Sequence, residues 1–315
     1  MTRQWLREVK LTVEGGGTVT ELSALRIRFR TMQNNLQRPN SAHITITNPS
    51  TETSQRLKKE GQVVTLEAGY QDGGPSVIYK GNIIQKRSGR ENPVETYLDI
   101  LAGDGDQAYN FATVSKTLSA GSTYRDQVDV VAAEMKKHGV EVGHIPDLGD
   151  KKMPRGRTLF GMARDVMRDI AMSTGTSWSI QDGKLTMVKN QEFMPGDVHV
   201  INSTTGMIGL PEQTLDGIIV RMLLNPKIKP GSKIKIDQAS VQQALFSPNY
   251  TAEVQNSMIP SLADDGIYKC LVVEHSGDTR GLAYYTNVTC IRADGQGPLP
   301  IGLAGQGINL DPGEQ

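Results

Sequence analysis

A stretch from Ile78 to Gly105 is echoed from Ile267 to Gly295, and this internal repeat constrains the fold more than any other feature of the 315-residue sequence. Ile78-Tyr79-Lys80 matches Ile267-Tyr268-Lys269 identically, and the last three positions of each run, ending at Gln85 and Glu274, agree in apolar or polar character. After a polar loop, Thr96 to Gly105 reads against Thr286 to Gly295, one residue further along, and both copies end in Asp-Gly. Each copy has the form of a β-hairpin, because a β-rich run, a polar turn and an alternating run follow one another. Leu98, Ile100 and Ala102 share one face and are matched by Val288, Cys290 and Arg292, of which only Arg292 breaks the pattern. Short β patterns recur in unrelated hairpins. The better reading is two related β-domains in one chain.

The length allows two or three domains, each with its own core. Lys plus Arg equals Asp plus Glu, 34 against 34, so no overall basic field gathers nucleic acid and no acidic excess solvates a tail. The two cysteines, Cys270 and Cys290, fall on the two arms of the second hairpin, and two are too few for a secreted disulfide scaffold. They read as free buried thiols. Met1 to Trp5 carries no apolar signal core, and no apolar run approaches the roughly 20 residues of a membrane span. These features predict a soluble protein made in a cytoplasm, with no membrane partner.

Residues 1–110 read as a first antiparallel β-barrel. Val9, Leu11 and Val13 alternate up to Gly15-Gly16-Gly17, and Ile44 and Ile46 continue the pattern to Asn48-Pro49. Ser50 or Thr51 caps a short helix carrying Leu57 and closed by Gly61, and Val63 to Tyr70 leads into the first repeat copy. Leu25, Ile27 and Phe29 point to one side of a strand while Arg26, Arg28 and Arg30 point to the other, a face that calls for water or a protein partner. Residues 111–200 read as a small α+β connector. Tyr109 to Gly121 is expected to be a connecting segment, followed by a helix with a Thr123/Asp126 capping box, a stripe of Tyr124, Val128, Val131, Ala132 and Met135, and a stop at Gly139. A second helix capped by Thr158 is expected along Leu159, Ala163, Val166 and Ile170, ending at Gly175. A hairpin with Asp182-Gly183 in a type I′ turn follows. Residues 201–297 read as the second barrel, with Ile234 and Ile236 inward and Lys233 and Lys235 outward, interrupted by a polar segment from Gln238 to Asp265. Residues 298–315 form a Gly- and Pro-rich tail that cannot build a core. The fold class is therefore mainly β with an α+β insertion: two related antiparallel β-barrel, tube-like domains flank a small α+β domain.

Signatures of chemistry are missing. His43, His138, His144, His199 and His275 lack paired zinc spacing, and the cysteines are too far apart for a knuckle. No nucleophile elbow, phosphate loop or dinucleotide fingerprint occurs, so no catalytic residue, cofactor or metal ligand is assigned. Asp104-Gly105-Asp106 could begin a calcium loop, but Ser115 stands where a carboxylate is needed, and an ordinary turn at a strand end is preferred. Arg26, Arg28, Arg30, Lys233 and Lys235 are the candidate protein-interface residues.

The order of these parts resembles the contractile-phage baseplate hub family. Ile78 to Ile83 and Leu101 to Gly105 are similar to the first tube-like domain of that family, and Ser115 to Thr123 resembles its connector. Gly209-Leu210-Pro211-Glu212, Leu223 to Pro226 and Pro230-Gly231-Ser232 resemble the opening of its second barrel. The resemblance implies a homotrimer in the virion tail baseplate, assembled in the host bacterial cytoplasm. It would join a six-fold tail tube protein to a three-fold central spike protein, with tape measure and baseplate wedge proteins as further neighbours and DNA only in transit. Two alternatives stand beside this reading: a baseplate-associated peptidoglycan hydrolase, marked by turnover of cell wall, and a β-rich surface-binding module, marked by glycan affinity.

Overall fold

The computed structural model describes residues 4–57, 62–214, 217–236, 241–243 and 266–292. The polar segment between Gln238 and Asp265, apart from residues 241–243, the C-terminal tail, the Asp294-Gly295 end of the second repeat and the expected helix stop at Gly61 lie outside the described residues.

The first unit contains β1 (Arg7–Gly15), β2 (Thr18–Glu21), β3 (Arg26–Asn34), β4 (Ser41–Thr47), α1 (Thr51–Arg56), β5 (Val63–Tyr70), β6 (Gly74–Arg90) and β7 (Thr96–Gly103). Gly16 and Gly17, at φ 60° and 79°, make the tight turn between β1 and β2 that the glycine run predicted. The strands pair antiparallel in the order β3-β4-β7-β6-β5-β1-β2. Alternate residues of every strand except β2 point to one core, where Leu11, Val13, Ile27, Ile44, Ile46, Leu66, Ile78 and Ile100 are buried. Each such side chain contributes about 1.5–3 kcal/mol of transfer free energy. Ser50 accepts from the Thr53 amide as the cap of α1, and Leu57 beneath it is buried.

The middle unit contains α2 (Asp106–Phe111), β8 (Thr113–Leu118), α3 (Tyr124–Lys136), β9 (Glu141–Val142), β10 (Arg157–Met162), α4 (Ala163–Ser173), β11 (Thr176–Gln181) and β12 (Lys184–Lys189). The capping box of α3 forms as expected: Asp126 accepts the Thr123 backbone N–H at 2.7 Å and Thr123 Oγ1 accepts the Asp126 backbone N–H at 3.3 Å. Two expectations are corrected. The segment from Tyr109 to Gly121 is not a plain connector, because α2 and β8 occupy it. Nor does Thr158 cap the second helix: residues 157–162 pair with β8 as a strand, and α4 starts at Ala163. Leu159 is buried from the strand and Ala163, Val166 and Ile170 from the helix, so one apolar series crosses a junction and imitates a longer helix. Gly161, at φ 130°, lies in that junction outside helical geometry. The β11–β12 hairpin turns on Asp182 and Gly183, at φ 54° and 78°, the positive pair a type I′ turn requires.

The second unit contains β13 (His199–Ile201), a 3₁₀ turn (Ser203–Thr205), β14 (Glu212–Thr214), β15 (Gly217–Leu223), β16 (Lys233–Ile236), β17 (Gln242–Gln243), β18 (Ile267–Asp278) and β19 (Tyr284–Ile291). Ile218, Val220, Ile234, Ile236, Tyr268, Val273 and Val288 form its core. Cys270 and Cys290 sit directly opposite each other across β18 and β19, both free and fully buried, and burial pushes the Cys290 thiol up.

The two β units, each with its own core, are joined through one sheet. β18 pairs with β16 at its start and with β3 beyond its bulge, so main-chain hydrogen bonds run through a 14-stranded sheet whose path is β17-β14-β15-β19-β18-β3-β4-β7-β6-β5-β1-β2. Tyr284 of the second unit packs in the first core, where its hydroxyl lies 2.8 Å from the Gly69 carbonyl and accepts the Gly69 N–H at 2.9 Å.

The repeat exists, with a corrected register. In β6–β7 the bulge falls between Ile83 and Gln85, with Ile83 opposite Ala102; in β18–β19 it falls between Cys270 and Val272, with Cys270 opposite Cys290. Matching the bulges places Cys290 with Ala102 and Val288 with Ile100, rather than Cys290 with Ile100 and Val288 with Leu98. The shift is two residues on each arm. Because side chains alternate with period two, it leaves every residue on the face that the sequence comparison assigned.

Candidate assembly site

The three units meet at a buried polar junction. Asp104, immediately after β7, is fully buried and accepts the backbone N–H groups of Asp182 and Gly183 at 2.6 and 2.9 Å, gripping the tip of the middle hairpin. Asp182 in turn receives Gln33 Nε2 of β3 at 3.0 Å and Lys229 Nζ of the second unit at 2.9 Å, while Lys229 also reaches the Val77 carbonyl at 2.9 Å. Burial and the nearby Asp182 push the Asp104 carboxyl well above its ordinary range, against the pull of the two N–H donors and Lys229. Asn40 donates to the Ile180 carbonyl at 2.8 Å, and Asn35 to Ser177 Oγ at 2.7 Å. On the second unit, buried Lys269 donates to the Lys189 carbonyl at 2.8 Å, and burial lowers its pKa to about 7. Asp104-Gly105-Asp106 is thus a turn at a strand end whose carboxylate holds backbone. Among the described residues no group of three His, Cys, Asp or Glu is placed to hold a metal ion.

Arg26, Arg28 and Arg30 lie on one outward face of β3, as their alternation implies, and each is met within the chain. Arg26 binds Asp278 at 2.7 Å, Arg28 binds Glu91 at 2.8 Å and Arg30 binds Glu274 at 2.7 Å. The hydrogen bond from Arg26 holds the Asp278 carboxyl below its usual range. The same face continues across the sheet: Arg28 sits opposite Thr45, Thr45 opposite Asp99, and Asp99 opposite Arg87, which it binds at 3.0 Å. Lys233 and Lys235 lie elsewhere, on β16. Lys235 is exposed, whereas Lys233 is half-buried with its ammonium 5.1 Å from the Phe193 ring. The five candidate residues therefore form two separate patches. No sequence signal announced Lys229 or Lys269 as junction residues, since each acts through a partner remote in sequence; Asp104 and Asp182 were visible only as Asp-Gly turns.

No helix among the described residues is long and apolar enough to cross a membrane. No curated protein matches the sequence. The structure is similar to the 43 kDa tail protein of prophage MuSo2 from Shewanella oneidensis, at TM-score 0.60 and 9% identity over 92% of this chain and 99% of the other. It is also similar to a tail protein from Neisseria meningitidis MC58, at TM-score 0.56 and 12% identity over 91% and 96% of the two chains. A third similar structure, at TM-score 0.53 and 12% identity over 90% and 76%, is the E. coli c3393 protein, described as a type VI secretion system component with structural similarity to T4 bacteriophage tail proteins gp27 and gp5. The family model described as baseplate hub gp41 matches residues 6–242, well over half of the sequence. The chain belongs to the baseplate hub gp41 family and is a structural, non-enzymatic component of a phage tail baseplate.

Proposed function

We propose that three copies of this chain form a ring with six similar positions, joining a six-fold tail tube to a three-fold central spike around a channel for DNA. The observation that carries the reading is the strand order. Along the sheet, β15-β19-β18-β3 is followed by β4-β7-β6-β5, so the hairpin β18–β19 and the hairpin β6–β7 occupy the same place in two successive blocks of four strands. All the neighbours within and between these blocks are antiparallel, so a step of four strands restores both strand direction and inward face. The two copies stand side by side in the same orientation, the arrangement a chain needs to supply two successive positions of a ring. Repetition of this step in a closed homotrimer gives six positions, and like copies alternate with unlike ones. The gp27 and gp5 likeness attributed to the E. coli protein supports a spike as one partner. The middle unit, clamped to both β units through Asp104 and Lys269, is the part that leaves the ring free to close and offers surface to wedge and tape measure proteins. Lys235 remains a candidate for contact between chains. Sedimentation of the purified chain, alone and with its spike, tests the trimer: a three-chain species is expected, and monomer at high concentration in both conditions contradicts it.

A further inference from the structure

The face carrying Arg26, Arg28, Arg30 and Arg87 is unusual for a docking surface. Protein interfaces concentrate apolar side chains at their centre and deplete charge there. This face instead places ion pairs across β18, β3, β4, β7 and β6, and burying them costs solvation that the pairs scarcely return. Each guanidinium is also within 3.0 Å of a carboxylate oxygen in the same chain. At physiological salt the screening length is about 8 Å, so a charge and its countercharge this close together leave little field for a phosphate passing beyond them. On the same face, across β19 and β15, the Arg221 guanidinium lies 4.2 Å above the Tyr285 ring rather than against a carboxylate. We infer that this sheet face, with its arginines cancelled by carboxylates from the same chain, is a non-adhesive surface past which duplex DNA moves. The inference rests on the ring reading, and it assigns the face that lines the channel.

The test removes the carboxylates and keeps the arginines. Glu91→Gln, Glu274→Gln and Asp278→Asn are combined in the full chain, and short duplex DNA at low salt is the probe. The natural chain is expected to show no binding. The triple variant is expected to bind, with log affinity falling against log salt with a slope of roughly 3, as three freed guanidinia displace counterions at about 0.9 each. Adding Arg26→Gln, Arg28→Gln and Arg30→Gln should abolish that binding. A natural chain that binds DNA, or a folded triple variant that does not, overturns the inference. If the triple variant does not fold, Asp99→Asn alone frees Arg87, whose side chain is 62% exposed, and the same readout applies with a slope near 1. In assembled particles, the carboxylate variant should build normal tails that deliver DNA slowly; folded chains that fail to assemble would show the face to be a protein interface and reject the inference. Images without the alternating ring would remove the ring reading while leaving the variant's DNA binding intact, so the two failures are told apart.

Discussion

Asp104→Asn is the sharpest perturbation of the junction that holds the three units together. The amide has almost the shape of the carboxylate, but only one of its two heavy atoms accepts a hydrogen bond. In the natural chain both oxygens receive backbone N–H groups, Asp182 at 2.6 Å and Gly183 at 2.9 Å, in a site without solvent. The amide therefore turns an N–H donor toward one of these N–H groups and leaves it unmet. A buried unsatisfied donor costs about 1–3 kcal/mol, and a hydrogen bond to a charged group contributes about 1.5–3 kcal/mol. Opening of the Asp182-Gly183 turn should accordingly become easier by about 2 kcal/mol, or roughly 30-fold. Amide hydrogen exchange at Asp182 and Gly183 reads this directly, with exchange in the α3 core as the internal reference. Asparagine also resembles a protonated Asp104. Unchanged exchange at both amides would show that the carboxyl does not act as a double acceptor, and the account of the junction would fail.

Burial of His275 holds its imidazole neutral and lowers its pKa to about 3, while Nδ1 lies 2.9 Å from Thr286 Oγ1. The folded state then binds fewer protons than the unfolded state between pH about 6.5 and about 3, so stability is complete above that window and falls as pH falls through it, by roughly 5 kcal/mol at the acid end. Denaturant midpoints measured against pH should show this slope, and His275→Gln should flatten it; equal slopes in the two proteins would contradict the assignment. Cys270 and Cys290, both fully buried, should resist thiol reagents in the folded chain and react together on unfolding, and rapid labelling of the native protein would count against their placement.

The strands were legible because their signal is local: Leu11 and Val13, Ile44 and Ile46, or Leu98 and Ile100 alternate in sequence and face one core in the fold. The same period of two hid the register of the repeat. A slip of two residues preserves every inward position, so Ile78-Tyr79-Lys80 matched Ile267-Tyr268-Lys269 although the bulges, features of backbone pairing alone, align Cys290 with Ala102. The identity also concealed a difference in environment, since Lys80 is exposed and Lys269 is buried on backbone carbonyls. Leu159 misled because helical spacing is satisfied by chance across a strand-to-helix junction. The arginine face was visible as alternation, yet its neutralisation was not, because Asp278 and Glu274 lie 252 and 244 residues from Arg26 and Arg30. The joining of the two barrels escaped for the same reason. β3 and β18 pair across most of the chain, and neither strand carries a mark of its partner.

The central claim is that the two hairpin copies stand as neighbouring, equivalent positions of one ring. A symmetry-resolved image of the baseplate tests it most directly. The account predicts three chains around the axis, with the hairpin at Ile83 of one chain beside the hairpin at Cys270 of the next, alternating through six positions and superimposing bulge on bulge. An image in which the copies stack along the axis, or in which like copies touch, would contradict it.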